Sequence, residues 1–301
     1  MPVLAPLLAL LASAPALELV PAVARPGDAV LLRVGAAGEP QGILAGQPLH
    51  FWRAGEEWWA LAALPVELTP GPLPVRVEAG GAPLTAELTV VEPGFTRHAL
   101  TLDRKYVEPP ASVQKQIARD RKAFARAFAQ PFGPPFFQGD FAWPRHAETS
   151  GRFGDQRVLN GKVKSVHYGL DIVGPRGAPV AAANDGLVVI ARKAYFSGNT
   201  VVVYHGAGLY TAYFHLDRMA VAAGRRVSKG DLLGQLGATG RATGPHLHWG
   251  VKVAGLYVDP ESLLAIDFAH GTAPDRRTGA PPSPDQPSNP STEEPPQQAE
   301  P

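Results

Sequence analysis

A mainly β chain with one helix near its middle is the fold class that the sequence predicts. Three observations carry the prediction. Gly 32 and Pro 32 together make up about a fifth of the 301 residues, more chain breakers than a helical bundle tolerates. Short runs of β-branched, aliphatic and aromatic residues recur along the chain with turn sequences between them. Apolar residues at helical spacing mark one segment, roughly Ser112 to Gln130.

In chain order, Met1–Ala16 comes first. Its apolar run from Val3 to Ala12 has the length of a signal-peptide core and is too short to span a bilayer. Ala12-Ser13-Ala14 and Ala14-Pro15-Ala16 fit the small-x-small cleavage pattern. Residues 1–16 are therefore expected to be a secretion signal, with the mature protein exported to the periplasm, the cell envelope or the medium. No other stretch approaches ~18 continuous apolar residues, so no membrane span is expected.

Residues 17–93 read as a small β domain. The runs Leu17–Val23, Ala29–Val34, Leu49–Trp52, Trp58–Leu64, Leu73–Val77 and Leu84–Val91 are separated by turns such as Arg25-Pro-Gly-Asp28. Val75 and Val77, then Leu84, Ala86, Leu88 and Val90, alternate with other residues, the period of a half-buried strand. Regular short strands of this kind predict an immunoglobulin-like β-sandwich. Trp52, Trp58 and Trp59 are expected in its core or against a sheet; stacking on sugar rings is the alternative.

Residues 94–140 read as a linker containing the helix. Glu108-Pro-Pro110 disfavours helix just upstream, and Ser112 is the expected N-cap. Val113, Ile117, Phe124 and Phe128 form one apolar stripe. Lys115, Arg119, Arg121, Lys122 and Arg126 cover much of the remainder, expected as a solvated face rather than a polymer-binding one. Pro131-Phe-Gly-Pro-Pro135 ends the helix. Residues 141–268 are again β-rich, with Leu187–Ile190, Thr200–Tyr204, Tyr210–Phe214 and His246–Val253 as strand runs. Residues 269–301 form a Pro-rich tail; from Gly271 onward it holds nine prolines and no large apolar residue, so it is expected to be disordered.

Composition limits the chemistry. Lys+Arg 28 against Asp+Glu 27 leaves a net charge of +1, no reason to expect nucleic acid as a partner. Zero cysteine excludes disulfides, thiolate metal sites and cysteine nucleophiles. A metal site must then use His, Asp or Glu.

Seven of the nine histidines fall between residues 146 and 270. His167-Tyr-Gly-Leu-Asp171 is an H-x-x-x-D, with Gly169 expected to loosen the backbone where the two side chains converge. His246-Leu-His248 is an H-x-H that opens a strand run, so both imidazoles project to one face and Leu247 to the other. His215 ends the run Tyr210–Leu216. Two imidazoles and a carboxylate with an open fourth position are a catalytic zinc set. Zinc lowers the pKa of bound water to about 7 and polarises a carbonyl, and nearby histidines can move the proton to a leaving amine.

At these residues the chain resembles the lysostaphin/LytM-type zinc metallopeptidases that cut peptidoglycan cross-links. Beside the two histidine motifs, the resemblance rests on Ser150–Arg157, Asn160-Gly161, Gly177–Val180, Gly224–Gly230 and Gly237–His246, and covers about residues 141–265. It implies an antiparallel β-sheet groove with Zn2+ at its floor. It implies His167, Asp171 and His248 as ligands, and His215 and His246 as the pair that orients water and stabilises the oxyanion. It also implies peptidoglycan peptides as the partner. Leu159 departs from the aromatic many relatives carry there, which leaves open whether a tyrosine such as Tyr168 assists. His50, His98, His146 and His270 are expected outside the site, and His205, beside the Gly206-Ala-Gly208 turn, is expected as a turn residue or as a support behind the ligands. A non-catalytic envelope factor that binds peptidoglycan or activates an amidase is the competing reading. A lipoyl-type carrier, suggested by Val227–Gly234, leaves the histidines unexplained. The amide cut and the oligomeric state are not readable.

Overall fold

The computed structural model describes residues 16–161 and 163–274. The expected secretion signal, up to residue 15, and the expected tail from residue 275 lie outside the described residues.

Seven strands build the N-terminal sandwich: β1 (Ala16–Val20), β2 (Ala29–Gly35), β3 (Gln41–Leu44), β4 (Trp52–Ala54), β5 (Glu57–Ala63), β6 (Gly71–Ala79) and β7 (Ala82–Val90). One sheet has the order β1-β2-β5-β4; the other pairs β7, β6 and β3, with two-residue strands at its edges. Alternation in β6 and β7 puts Val75, Val77, Leu88 and Val90 in the core between the sheets and leaves Arg76 and Glu78 in solvent. The run expected at Leu49–Trp52 forms strand only from Trp52 onward; Phe51 reaches the core from irregular chain. Strand β3 was not expected: Gln-Gly-Ile-Leu is short and carries a glycine, but Gly42 lies so close to Arg76 O and Val77 that a Cβ would crowd both.

The sheet containing β2 and β5 is apolar on both sides. Val30, Leu32, Ala60 and Ala62 face the sandwich core, whereas Ala29, Leu31, Leu61 and Ala63 belong to the core of the C-terminal half. Trp52 lies in that second core. Trp58 packs on the sandwich core, and Trp59 is half-buried, its Nε1–H donating to Glu57 at 2.9 Å.

The segment 94–140 wraps onto the C-terminal half. Strand β8 (Arg97–Leu100) adds in parallel to β10 (Gln156–Leu159), which pairs antiparallel with β11 (Val163–Val166). Helix α1 spans Gln114–Ala127 after a 3₁₀ turn at Ala111–Val113. Ser112 is not its N-cap: the helix starts from the Pro110 carbonyl through Val113 N–H, and the capping position is Val113, with no side-chain bond. Ile117 is buried, while Phe124 and Phe128 pack on Ile190, Val202, Tyr204, Tyr210 and Ala212. The five basic residues named above are exposed. Asp120, buried beneath the helix, accepts from Arg192 Nη2 and Tyr195 N, both at 2.8 Å.

The large C-terminal sheet contains β9 (Thr149–Gly151), β12 (Leu170–Val173), β13 (Gly186–Ala194), β14 (Gly198–Tyr204), β15 (Leu209–Leu216) and β16 (His246–Val253). Its order is β9-β12-β16-β15-β14-β13, with β17 (Leu256–Val258) paired to β16 and all pairings antiparallel. A short helix, α2 (Pro260–Leu264), follows and is capped by Asp259. Odd-numbered residues of β16 (Leu247, Trp249, Val251, Val253) enter the core shared with the sandwich. The expectation of a mainly β chain built of antiparallel sheets holds. No helix among the described residues is long and apolar enough to cross a membrane.

Candidate metal centre

Two neighbouring strands set the site. In the β12–β16 ladder Asp171 lies opposite His248 and Val173 opposite His246. His246 and His248 thus share the face away from Leu247, which is fully buried. His167 precedes β12 and is fastened by its own backbone: its N–H donates to Asp155 O (2.9 Å) and its carbonyl accepts from Gly154 N (2.8 Å).

Three ligand atoms meet at this point. His167 Nε2 lies 3.0 Å from Asp171 Oδ1, His248 Nδ1 lies 2.9 Å from the same oxygen, and the two nitrogens are 2.9 Å apart. The His167 Nδ1–H donates to the Arg152 carbonyl at 2.7 Å. A carbonyl only accepts, so Nδ1 carries a proton and Nε2 is the ring nitrogen turned to Asp171. Two imidazole nitrogens and a carboxylate oxygen this close in a buried place can share one cation. Two imidazoles and a carboxylate are a donor set that suits zinc, so the residues present fit the metal.

Asp171 uses its second oxygen differently. Oδ2 accepts from Arg157 Nη2 at 2.6 Å, which fixes the plane of the carboxylate. Burial acts to raise its pKa, but the contacts with His167 and His248 outweigh it and hold the carboxyl far below the ordinary value. Burial lowers the His248 pKa to about 4, so its ring is neutral at pH 7. Phe214 stacks on that ring at 5.2 Å and 15°.

Two glycines make the convergence possible. A Cβ on Gly169 would stand 2.7 Å from His248 Nε2 and 2.6 Å from Trp249 O. Its φ is not in the left-handed region, so the glycine supplies space rather than the backbone freedom expected of it. A Cβ on Gly151 would stand 2.5 Å from Arg157 Nη2 and 2.7 Å from Asp171 Oδ2.

His215 and His246 flank the cluster, their rings 4.9 Å apart. His215 has φ 63 at an irregularity in the β14–β15 ladder, a conformation that costs a non-glycine residue about 1–3 kcal/mol. It is held there by its N–H to Ser197 O (2.9 Å) and its Nδ1–H to Thr239 O (2.8 Å). His246 donates Nδ1–H to Gly244 O at 2.9 Å. Both rings therefore leave Nε2 as their free nitrogen, and that of His246 lies 3.7 Å from Asp171 Oδ1. Burial, then repulsion from His246 and His248, lowers the His215 pKa to about 3.

A cleft of about 730 Å3 opens over these residues. The strand β8 and Leu102 contribute to its lining, as do Phe196, Tyr168, Tyr257 and Arg241. Asn160 ties this lining in place, accepting from Leu102 N (2.8 Å) and donating to Leu102 O (2.9 Å). Tyr168 stacks on Tyr257 at 5.7 Å, and Leu159 is buried in the lining.

All five predicted site residues converge here. Arg157, Phe214 and β8 were not singled out by sequence. Phe214 was findable, since it alternates with Ala212 on the strand that carries His215; the Arg157–Asp171 pairing has no local signal. His205 is fully buried elsewhere, bonded to Asp185 O and Thr211 Oγ1. His50 contacts Phe132 and His270 pairs with Asp267. His146 takes no part in the cluster among the described residues. His98 lies on the lining of the cleft, bonded to Thr96 Oγ1.

Comparison with known proteins agrees with this arrangement. Residues 165–260 match the model of peptidase family M23. The peptidoglycan DD-endopeptidase ShyC of Vibrio cholerae is 40% identical over 117 residues, covering 38% of this chain and 27% of that protein. The peptidoglycan DD-endopeptidase ShyA of the same organism is 44% identical over 103 residues, covering 34% and 24%. The matches thus span about a quarter of the length of these curated relatives. A crystal structure of an M23 peptidase from Pseudomonas aeruginosa superposes with a TM-score of 0.59 at 28% identity, covering 79% of this chain and 93% of that one.

Proposed function

We propose, from the match of residues 165–260 to the model of peptidase family M23, that this chain is an exported zinc metalloendopeptidase that hydrolyses amide bonds in peptidoglycan stem peptides or cross-bridges. The observation that carries the reading is the meeting of His167 Nε2, Asp171 Oδ1 and His248 Nδ1 within 3.0 Å of one another beside two further histidines. The peptidoglycan substrate is supported by the DD-endopeptidase relatives.

His167, Asp171 and His248 would hold the ion. When bound, zinc supplies Lewis-acid polarisation of the scissile carbonyl and lowers the pKa of water. His215 and His246, their Nδ1 protons committed to carbonyls, offer Nε2 as the proton-carrying atom. A neutral Nε2 takes a proton from the attacking water; the imidazolium so formed donates to the oxyanion or passes the proton to the leaving amine. Arg157 keeps the Asp171 carboxylate in orientation throughout. β8 and the Tyr168–Tyr257 stack give the cleft walls for an extended peptide.

The test is release of soluble muropeptides from purified peptidoglycan by the full chain. Zinc-loaded protein is expected to release them, and chelated protein or His246→Ala to lose at least about a hundredfold in rate. Full activity in either sample overturns the reading. An envelope factor without catalysis would instead purify without metal and bind none tightly.

A further inference from the structure

Resting on the peptidase reading, we propose that Arg241 is the specificity-determining residue of the cleft and takes a free carboxylate of the substrate next to the scissile amide. Its guanidinium lies on the cleft lining and makes no hydrogen bond or ion pair with any described residue. The other charged side chains named on the lining have hydrogen-bond partners. Asp171 accepts from Arg157, Asp155 accepts from Thr96 and from Arg152 N, and Arg97 bonds Gln156. Among the described residues Arg241 is the lining arginine whose guanidinium has neither a carboxylate nor a hydrogen-bond partner. Burial, then repulsion from Arg157, lowers its pKa, the mark of a half-buried cation that gains from an anion.

Position and geometry point the same way. Arg241 is two residues from Thr239, whose carbonyl orients His215, and five from His246. Its N–H donates to Phe196 O at 2.7 Å, and its guanidinium lies 5.2 Å from the Phe196 ring. The turn beneath it is clamped: a Cβ on Gly240 would stand 2.4 Å from Gly198 N. A guanidinium stacked on an aromatic ring keeps its N–H edge free for a two-pronged bond to a carboxylate. The ligand class is therefore a peptide with a carboxylate close to the bond being cut, on the side of the cleft formed by Phe196 and the 238–245 loop. A cross-link made on diaminopimelate has one, on the carbon bonded to the scissile nitrogen. A glycine bridge has none.

Two synthetic D-alanyl-diaminopimelate peptides test this, one with that carboxyl free and one with it as the carboxamide. Binding to the full chain is measured by calorimetry under chelation, so that nothing is cleaved, and kcat/KM is measured with zinc. The wild type is expected to bind the acid at least about tenfold tighter than the amide. That ratio falls to about one in Arg241→Gln and stays intermediate in Arg241→Lys, which keeps the charge but not the fork; thermal melting of both variants confirms the fold. A ratio near one in the wild type, or an equal ratio in wild type and Arg241→Gln, overturns the assignment. Preferential binding of the acid with no cleavage of either peptide would instead overturn the peptidase reading and leave the carboxylate subsite standing.

Discussion

Asp171 divides its two carboxylate oxygens between two tasks. Oδ1 joins the imidazoles of His167 and His248, and Oδ2 is taken by Arg157 at 2.6 Å. The same division recurs at His167, where Arg152 O takes the Nδ1 proton and leaves Nε2 for a metal. Outer contacts of this type orient ligands, and their loss commonly costs 10–100-fold in metal affinity. Arg157→Met is therefore expected to weaken zinc binding by about 10–100-fold, read by competition against a chromophoric chelator; an unchanged affinity would reduce Arg157 to a surface contact. The types and spacings of the ligands were legible in the H-x-x-x-D and H-x-H. The role of Gly169 was not, because its need is for space against His248, which comes from 79 positions later in the chain.

At the scale of elements, the hairpin turn between β14 and β15 is built on a buried histidine. His205 Nδ1–H donates to Asp185 O (2.7 Å), and Nε2 bonds the Thr211 hydroxyl (2.7 Å). Thr211 Oγ1 also bonds Tyr213 Oη (2.9 Å), which accepts from Ala183 N (2.9 Å). Burial lowers the His205 pKa to about 4 from 6.5. In the unfolded chain the ring protonates below about pH 6.5, so the unfolded state binds the extra proton between about pH 6.5 and 4, and stability falls as pH drops through that window. The loss reaches about 3 kcal/mol at most. Urea midpoints at pH 7 and pH 4.5 check this: the drop is expected to be smaller in His205→Gln than in the wild type, and an equal drop would show that His205 does not titrate on unfolding. The strands themselves were legible from their β-branched runs, whereas the network was not, since its members come from the turn at His205, from β15 and from the 182–185 segment. Helix α1 shows the same limit. Its apolar stripe read correctly, but the start of the helix is decided by Pro110, and the seat of Asp120 by Arg192 and Tyr195 N.

Across the whole molecule, the sandwich is seated on the back of the sheet that carries the site. α2 packs on β2, while β16 and β17 pack on β5. Ala29 N–H donates to Ser262 Oγ at 2.8 Å and Asp259 N–H to Gly27 O at 2.7 Å. The cleft lies on the other face, with His246 and His248, so the sandwich supports the site without covering it. Leu31, fully buried in the shared core, should matter to both halves. Leu31→Ala is expected to cost about 2–5 kcal/mol and to leave a single unfolding transition, followed in parallel by calorimetry and tryptophan fluorescence. Two separate transitions would mean that the halves unfold independently. A fragment beginning near Pro135 would expose this apolar face, and its melting temperature should fall below that of the full chain.

What the sequence determined by itself is what short-range periodicity can encode. Alternation of two marked the strands and placed His246 and His248 on one face, helical spacing marked α1, and the absence of cysteine left a metal only His, Asp and Glu. Even the seating of the sandwich left a trace: Ala29–Leu32 and Trp58–Leu64 are continuous apolar runs, the pattern of strands buried on both faces, whereas β6 and β7 alternate. Only the tertiary structure decided which segments meet: Asp171 opposite His248, Arg157 on the free oxygen, β8 along the cleft and Arg241 without an anion. The physical reason is that periodicity reports how a strand or helix orients its own side chains, while the partner across a ladder is chosen by the summed burial and hydrogen bonding of residues far apart in the chain.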